Sequence, residues 1–261
     1  MAERNSKETL ERHRLVAERG DAEAQCRLGD MYNEGIGVER SDAEAVKWYR
    51  MAAKQGHAGA QYKLGLMYSV GSGVSRNTRS AAGWCLKAAE QGHAEAQNAL
   101  GLLYCNGEGV QQSHQEALKW FRMAADQGSP AADYQLGMMY RYGKGVERDD
   151  AKAAKLFGGV ARFGRPHANY ELGLMYRDGL GVAQDIAKAA GCFEMAVLWD
   201  HQEAILALEG MLGRMNAKGA EETRSFLKDH ERTQKRRGAA AAKKAKRPKK
   251  ARRQYVWVKA K

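Results

Sequence analysis

Residues 96–110 read AQNALGLLYCNGEGV, and this pattern of alanine, Leu-Gly, tyrosine and G-x-G-V occurs four more times along the chain. The Leu-Gly pair recurs every 36 residues without an insertion, at 28–29, 64–65, 100–101, 136–137 and 172–173. Tyrosine follows in the same register, at Tyr32, Tyr68, Tyr104, Tyr140 and Tyr176. A fixed period of this length is typical of helical repeat proteins, so the sequence predicts a solenoid.

The first helix of each repeat is predicted to carry the quoted pattern. Its apolar residues follow the i, i+4, i+7, i+8 spacing of a buried helical face. In the first copy these are Ala24, Leu28, Met31 and Tyr32. The glycine after each leucine weakens a helix by about 1 kcal/mol relative to alanine. We therefore expect two helices to approach too closely at this point to leave room for a Cβ atom.

A second helix is predicted after each G-x-G-V loop. Each loop is followed by a side chain that can accept from exposed N–H groups and so cap a helix, namely Ser41, Asn77, Ser113, Asp149 and Asp185. Ser41 with Glu44 and Ser113 with Glu116 have the spacing of capping boxes. Glycine at the left-handed position ends the second helix, at Gly56, Gly92, Gly128 and Gly164.

The pattern divides the chain into four regions. Residues 1–20 resemble a lone second helix that caps the start, and residues 21–200 contain the five repeats. The pattern decays over residues 201–231, as expected of a degenerate C-terminal cap. Residues 232–261 contain 14 of the 43 Lys and Arg residues and no Asp or Glu. Because like charges repel, this tail is expected to be disordered.

The motif A-x-x-x-L-G-x-x-Y-x-x-G-x-G-V, followed by a capped second helix, resembles the Sel-1-like repeat family, a branch of the tetratricopeptide-like solenoids. The resemblance implies an all-α fold, a right-handed α-solenoid superhelix of helix-turn-helix repeats. It also implies an adaptor that assembles protein complexes, since most similar members have that role. A cysteine-rich branch of the family raises one alternative, a β-lactamase-like hydrolase. That branch pairs cysteines within each repeat, whereas Cys26, Cys85, Cys105 and Cys192 lie far apart.

The residues give little support to catalysis or to cofactors. Each G-x-G follows a predicted helix rather than a strand, so these loops are interpreted as turns and not as nucleotide sites. His57 and His93 share one repeat position and are expected to be helix-start or turn residues. The other histidines show no ligand spacing, so no metal and no cofactor is expected. We expect the cysteines to be reduced and mostly buried, and the protein not to be an enzyme.

Four positions of the first helix vary between repeats and define a surface that we call the variable face. They are positions 26, 30, 33 and 34 of the first repeat and their equivalents. The resemblance places first helices on the concave side of the solenoid, so this face is the expected partner site. Aromatic, Met and Arg side chains are enriched in protein interfaces. The candidate residues are Tyr62, Leu66, Val70, Tyr134, Met138, Arg141, Tyr142, Tyr170, Leu174 and Arg177. The alternative is that the tyrosines pack between neighbouring repeats.

The tail is the second candidate site, because a dense cationic run attracts DNA, RNA or an anionic membrane. Its candidate polyanion-binding residues are Lys235, Arg236, Arg237, Lys243, Lys244, Lys246, Arg247, Lys249, Lys250, Arg252 and Arg253. Tyr255 to Val258 could stack on bases or dock on a partner as a short strand. Two alternatives stay open. The solenoid could merely present a nucleic-acid-binding tail, or the tail could be a solubilising segment without a specific partner.

The sequence thus favours a non-enzymatic scaffold that holds a peptide or helix on its concave face and is tethered to a polyanion by its tail. No apolar run is long enough to cross a bilayer, and residues 1–8 lack the apolar segment of a secretory signal. The expected protein is therefore monomeric and cytoplasmic, or nuclear if its source is eukaryotic.

Overall fold

The computed structural model describes residues 2–245 of the chain and the side chains of residues 10–239. Residues 2–245 contain thirteen α-helices, one short 3-10 helix and no strand, which confirms the all-α fold. The first helices of the repeats are α2 (Ala22–Glu34), α4 (Ala58–Val70), α6 (Ala94–Asn106), α8 (Pro130–Tyr142) and α10 (Pro166–Asp178). The second helices are α3 (Asp42–Lys54), α5 (Thr78–Glu90), α7 (His114–Asp126), α9 (Asp150–Ala161) and α11 (Ile186–Val197).

The remaining helices lie at the two ends of the chain. They are α1 (Ala2–Glu18), α12 (Gln202–Met211), the 3-10 helix Leu212–Arg214 and α13 (Ala217–Ala245). The chain divides into two compact units. The first unit, Met1–Phe163 with Leu180–Val182, holds α1 and the first four repeats. The second unit, Gly164–Gly179 with the residues from Ala183 onward, holds the fifth repeat, α12 and α13.

The second helices begin where their capping residues predict. The Ser41 hydroxyl accepts from the Glu44 N–H at 3.3 Å, and the equivalent residues cap the other four helices. The expected capping box is only half formed, however. The N–H of Ser41 donates to the Tyr32 carbonyl oxygen at 2.9 Å. This donor is thus already used by the preceding turn, and Glu44 approaches Lys47 instead. The same backbone bond replaces the second half of the box at Ser113.

Glycines fill the two places where the repeat leaves no room for a side chain. A Cβ atom on Gly101 would lie 2.5 Å from Cε1 of Phe121, and one on Gly29 would lie 2.5 Å from Cε1 of Tyr49. This confirms the close helix approach predicted from the Leu-Gly pairs. The second glycine of a G-x-G loop has positive φ, and an added Cβ would clash with the backbone of the preceding repeat. At Gly109 the clash would be with the Thr78 carbonyl group. The loops are therefore packed turns, which agrees with their interpretation from sequence.

A row of buried glutamines joins neighbouring helices of the first unit, and the apolar pattern that predicted the fold did not include them. Gln97 is fully buried; its amide donates to the Ala89 carbonyl at 3.1 Å, and its oxygen accepts from Gln127 Nε2 at 2.8 Å. Gln61 and Gln25 make the same two bonds one and two repeats earlier. Each pair satisfies polar groups that burial would otherwise leave costly.

The second unit ends in two helices that cover α11. Ala204, Leu208 and Met211 of α12 are buried in its core, and Phe226 and Leu227 of α13 pack on the same cluster. The helix α13 continues through Arg232 to Ala245, so it includes the first part of the predicted tail, whose remaining residues lie outside the described chain. Alanine, lysine and arginine are strong helix formers, and Lys235 pairs with Glu231 at 2.5 Å one turn away.

Candidate functional site

The three tyrosines at the first position of the variable face are half-buried packing residues. Within the first unit, the ring of Tyr62 lies 5.1 Å from that of His93, where the next repeat begins, and Tyr134 lies 5.7 Å from Phe157. In the second unit, Tyr170 lies 5.7 Å from Phe193. Burial raises the pKa of Tyr62. The Tyr62 contact crosses to the next repeat, whereas Phe157 and Phe193 belong to the second helices of the same repeats as Tyr134 and Tyr170.

Other positions of the variable face expose large apolar side chains. In the first unit Leu66 is 40%, Val70 71%, Leu102 36% and Tyr142 52% exposed. Leu102 was missing from the residues selected by sequence, although it occupies the same repeat position as Leu66 and Met138. We call Leu66, Val70, Leu102, Met138 and Tyr142 the apolar strip. Its members lie on α4, α6 and α8, at two positions of the repeat.

Charged residues lie close in sequence to members of the apolar strip. On α8 the Arg141 guanidinium lies 5.5 Å from the Tyr142 ring centre, within the range of a cation–π contact. In the earlier repeats Lys63 of α4 donates to both carboxylate oxygens of Asp30, at 2.6 and 2.7 Å. Tyr49 donates to the same carboxylate at 2.7 Å. Asp30 is thus fully engaged in holding α2, α3 and α4 together.

The second unit contributes less accessible candidates. Leu174 is half-buried against the cluster that contains Phe193 and Leu208. Arg177 pairs with its neighbour Asp178 through two bonds, of 2.8 and 2.6 Å. The charge of Arg177 is therefore already balanced by Asp178. The exposed apolar surface of the candidate residues is therefore concentrated in the first unit.

The cysteines lack the character of catalytic nucleophiles. All four are free; Cys26 and Cys85 are buried, whereas Cys105 and Cys192 are half-buried. Burial raises the pKa of Cys26, Cys85 and Cys192 to about 11. Because the thiolate is the reactive form, these groups are protonated and weakly nucleophilic near neutral pH.

Histidine caps first helices, as its position after the glycine suggested. The Nδ1 atoms of His57 and His93 accept from the N–H groups of Ala60 at 3.1 Å and Ala96 at 3.3 Å. Burial lowers the pKa of His93, which favours the neutral ring that can accept this bond. Among the residues whose surroundings the structure describes, no group of three or more His, Cys, Asp or Glu could hold a metal ion.

The candidate polyanion site is only partly within the described chain. Lys235, Arg236 and Arg237 are exposed on α13. Lys243 and Lys244 belong to the same helix, but their side chains lie outside the described residues, as do Lys246, Arg247, Lys249, Lys250, Arg252, Arg253 and residues 255–258. Arg237 approaches Asp200 at 4.0 Å, and His230 approaches it at 3.5 Å. Within residues 2–245, no helix has the length and apolar character that crossing a membrane requires.

The paired helices, their 36-residue register and an exposed apolar surface on the first helices define a class of protein, the α-solenoid repeat proteins. Sel1 repeats are matched at residues 22–57, 58–93, 94–129, 130–158 and 166–198, which is more than half of the chain. The chain belongs to the Sel1 repeat family. Repeats of this family commonly mediate protein–protein interactions.

Solved structures of similar proteins agree with this assignment. A Sel1 repeat protein from Oxalobacter formigenes is 34% identical, with a TM-score of 0.73 over 81% of this chain and 85% of that one. The protective antigen c5321 of uropathogenic Escherichia coli is 31% identical, with a TM-score of 0.66. That comparison covers 84% of this chain but only 56% of the antigen. No curated protein matches the chain.

Proposed function

We propose that this protein is a non-enzymatic adaptor that binds a peptide or helix of a partner protein on the apolar strip. The observation that carries the proposal is the exposure of Leu66, Val70, Leu102 and Tyr142 at two repeat positions of the first unit. Exposed apolar patches on a protein surface are typical of interaction sites. The half-buried tyrosines Tyr62 and Tyr134 lie one turn before Leu66 and Met138 and are not part of the proposed contact surface.

The chemistry of the strip favours an apolar ligand with an acidic flank. Leucine, valine and methionine offer shallow contacts to an amphipathic helix that presents its own apolar residues every three or four positions. Tyr142 and Arg141 are the side-chain types that most often contribute strongly to interface energies. An acidic residue at one end of the ligand would meet Arg141 in a charge-assisted contact.

The proposal is tested by comparing the partners captured by matched full-length variants. Leu66→Lys with Leu102→Lys places charges in the apolar strip. The control, Met51→Lys with Met123→Lys, changes apolar residues of equal exposure, 39%, on second helices. The expected result is a partner that binds the wild type and the control equally well. Its affinity for the strip variant should be at least about tenfold lower, because unpaired charges in an interface cost a few kcal/mol. Equal binding by all three proteins would contradict the proposal.

We further propose that the tail tethers the adaptor to a polyanion. The support is the concentration of cations, with 14 Lys and Arg and no acidic residue after residue 231, and the exposure of Lys235, Arg236 and Arg237. Two weak contacts on one chain would gain avidity from their linkage. The cysteine pKa values do not favour the alternative of a hydrolase.

The tether is tested by nucleic-acid binding at two salt concentrations. Replacing the eleven candidate cations of the tail with Gln is expected to abolish binding and its salt dependence, because each phosphate contact adds roughly 0.9 to the salt slope on duplex DNA. The control replaces Lys47, Lys54 and Lys155, exposed on second helices, and is expected to bind like the wild type. Wild-type protein that fails to bind at low salt would overturn the tether and leave the adaptor proposal standing.

A further inference from the structure

Histidine precedes a helix at the same repeat position in three places, before α4, α6 and α12. The third histidine makes different hydrogen bonds from the first two. His57 and His93 accept at Nδ1 from backbone N–H groups. Their proton must then lie on Nε2, and Nε2 of His57 meets the Glu23 carboxylate at 2.8 Å. His201 stands at the same repeat position before α12, yet its side chain makes no capping hydrogen bond.

The surroundings of His201 favour the opposite tautomer. Its Nδ1 is buried without a regular hydrogen-bond partner and lies 3.2 Å from the Glu203 carboxylate. A carboxylate can only accept, so it favours a proton on Nδ1 and leaves the lone pair on Nε2. The residue is only 9% exposed. Tyr170 stacks on the ring at 4.7 Å and fixes its plane.

A second imidazole faces this lone pair. Nε2 of His201 lies 3.0 Å from Nδ1 of His167, an exposed residue in the first turn of α10. Position 167 is the repeat equivalent of Glu23, so in the fifth repeat an imidazole replaces the carboxylate that meets the first histidine. The two rings belong to the same compact unit. Their spacing of 34 residues has no signature among sequence motifs for metal sites.

We propose that His167 and His201 are the two protein ligands of a site for a divalent late transition-metal ion of the Zn²⁺ class, with water in the remaining positions. Metal–nitrogen bonds of about 2.0–2.1 Å place two ligand atoms roughly 2.8–3.4 Å apart at angles of about 90–110°. The observed 3.0 Å separation fits that range. Glu203 then acts as the carboxylate that orients a metal-bound histidine through its other nitrogen.

The test is calorimetric titration of the full chain with Zn²⁺ near neutral pH, repeated with matched variants. His201→Asn removes the imidazole and places a favourable N-cap residue before α12, His167→Gln changes an exposed residue, and His57→Asn removes the equivalent histidine of the first unit. The expected result is one site per chain in wild type and His57→Asn, and its loss in the other two. Glu203→Gln is expected to weaken binding by about tenfold or more.

Two results would overturn the site. The first is a wild-type Kd for Zn²⁺ weaker than about 1 mM, which would leave the histidines as a simple hydrogen-bonded pair. The second is unchanged Zn²⁺ affinity in His167→Gln. Because His167 is exposed, this substitution is not expected to unfold the protein. Circular dichroism of each variant verifies that the helices persist. A Cu²⁺ electron paramagnetic resonance spectrum supplies a second readout, with coupling to two nitrogens expected in wild type and lost in His201→Asn.

Discussion

At the scale of single residues, the glycine after each leucine is fixed by the side chain above it, which is an aromatic ring in four repeats and Cys85 in the second. Phe121, Phe157 and Tyr49 lie over Gly101, Gly137 and Gly29, and the nearest atom of each ring would be 2.5–2.6 Å from an added Cβ. The sequence predicted this approach because a helical glycine is unfavourable unless the space is needed. It could not identify which side chain would occupy the space.

Gly101→Ala is therefore expected to destabilise the protein by about 1–3 kcal/mol, the usual cost of overpacking a core. Gly83 provides the matched control, since it also lies inside a helix but has nothing within 4 Å of an added Cβ. Gly83→Ala should stabilise by up to about 1 kcal/mol through helix propensity. Chemical denaturation followed by circular dichroism measures both. Equal effects of the two substitutions would contradict the close packing at Gly101.

The cap at His93 predicts a dependence of stability on pH. Burial lowers the pKa of His93 below its ordinary value of 6.5; Lys63 and His57 lower it further, and the Glu95 carboxylate, 3.3 Å away, opposes them. The unfolded chain therefore binds a proton at higher pH than the folded chain does. Stability should be full above about pH 6.5 and fall as the pH drops through that value. Part of this loss should disappear in His93→Asn, which caps without titrating.

At the scale of elements, the buried glutamines link α1, α3 and α5 to the first helices that follow them. Gln97 of α6 bonds to the end of α5 through Ala89 and to Gln127 at the end of α7. Gln25, Gln61 and Gln97 recur at 36 residues, and so do Gln55, Gln91 and Gln127. The signal was therefore present, but a search for apolar periodicity passes over polar residues that are buried.

Gln97→Leu is expected to destabilise the protein by roughly 1–2 kcal/mol, because Gln127 loses its partner and Ala89 loses one of its donors. The exposed Gln111 serves as control, and Gln111→Leu should stay within about 0.5 kcal/mol of wild type. Thermal or urea unfolding compares the two. Wild-type stability in Gln97→Leu would show that the glutamine ladder adds nothing to the coupling between repeats.

The helix α13 includes the start of the cationic run. Repulsion among Lys and Arg predicted disorder from residue 232, and the described helix ends at Ala245. Residues 239–242 are four alanines, which have the highest helix propensity. Ion pairs with Glu231 and Asp229 offset part of the repulsion at the start of the cationic run.

At the scale of the whole molecule, repetition explains why the fold was predictable and the sites were less so. A capping residue or a terminal glycine that recurs in several of the five copies is a stronger signal than a single one. Helix starts such as Ser41 and helix ends such as Gly56 could therefore be assigned from sequence. A binding surface depends instead on the residues that differ between copies. Leu102 was missed although it is the same residue type as Leu66 at the same repeat position. The meeting of His167 with His201 depends on the three-dimensional register of two repeats.

The central claim is that a partner binds the apolar strip. The most direct measurement places a photoreactive amino acid at Leu102, or at Met123 as a control of similar exposure on a second helix, and identifies crosslinked peptides by mass spectrometry. The prediction is one partner segment, with apolar residues at helical spacing, crosslinked from position 102 and not from 123. Crosslinks from 123 alone, or none from 102 with a partner that still binds, would contradict the claim.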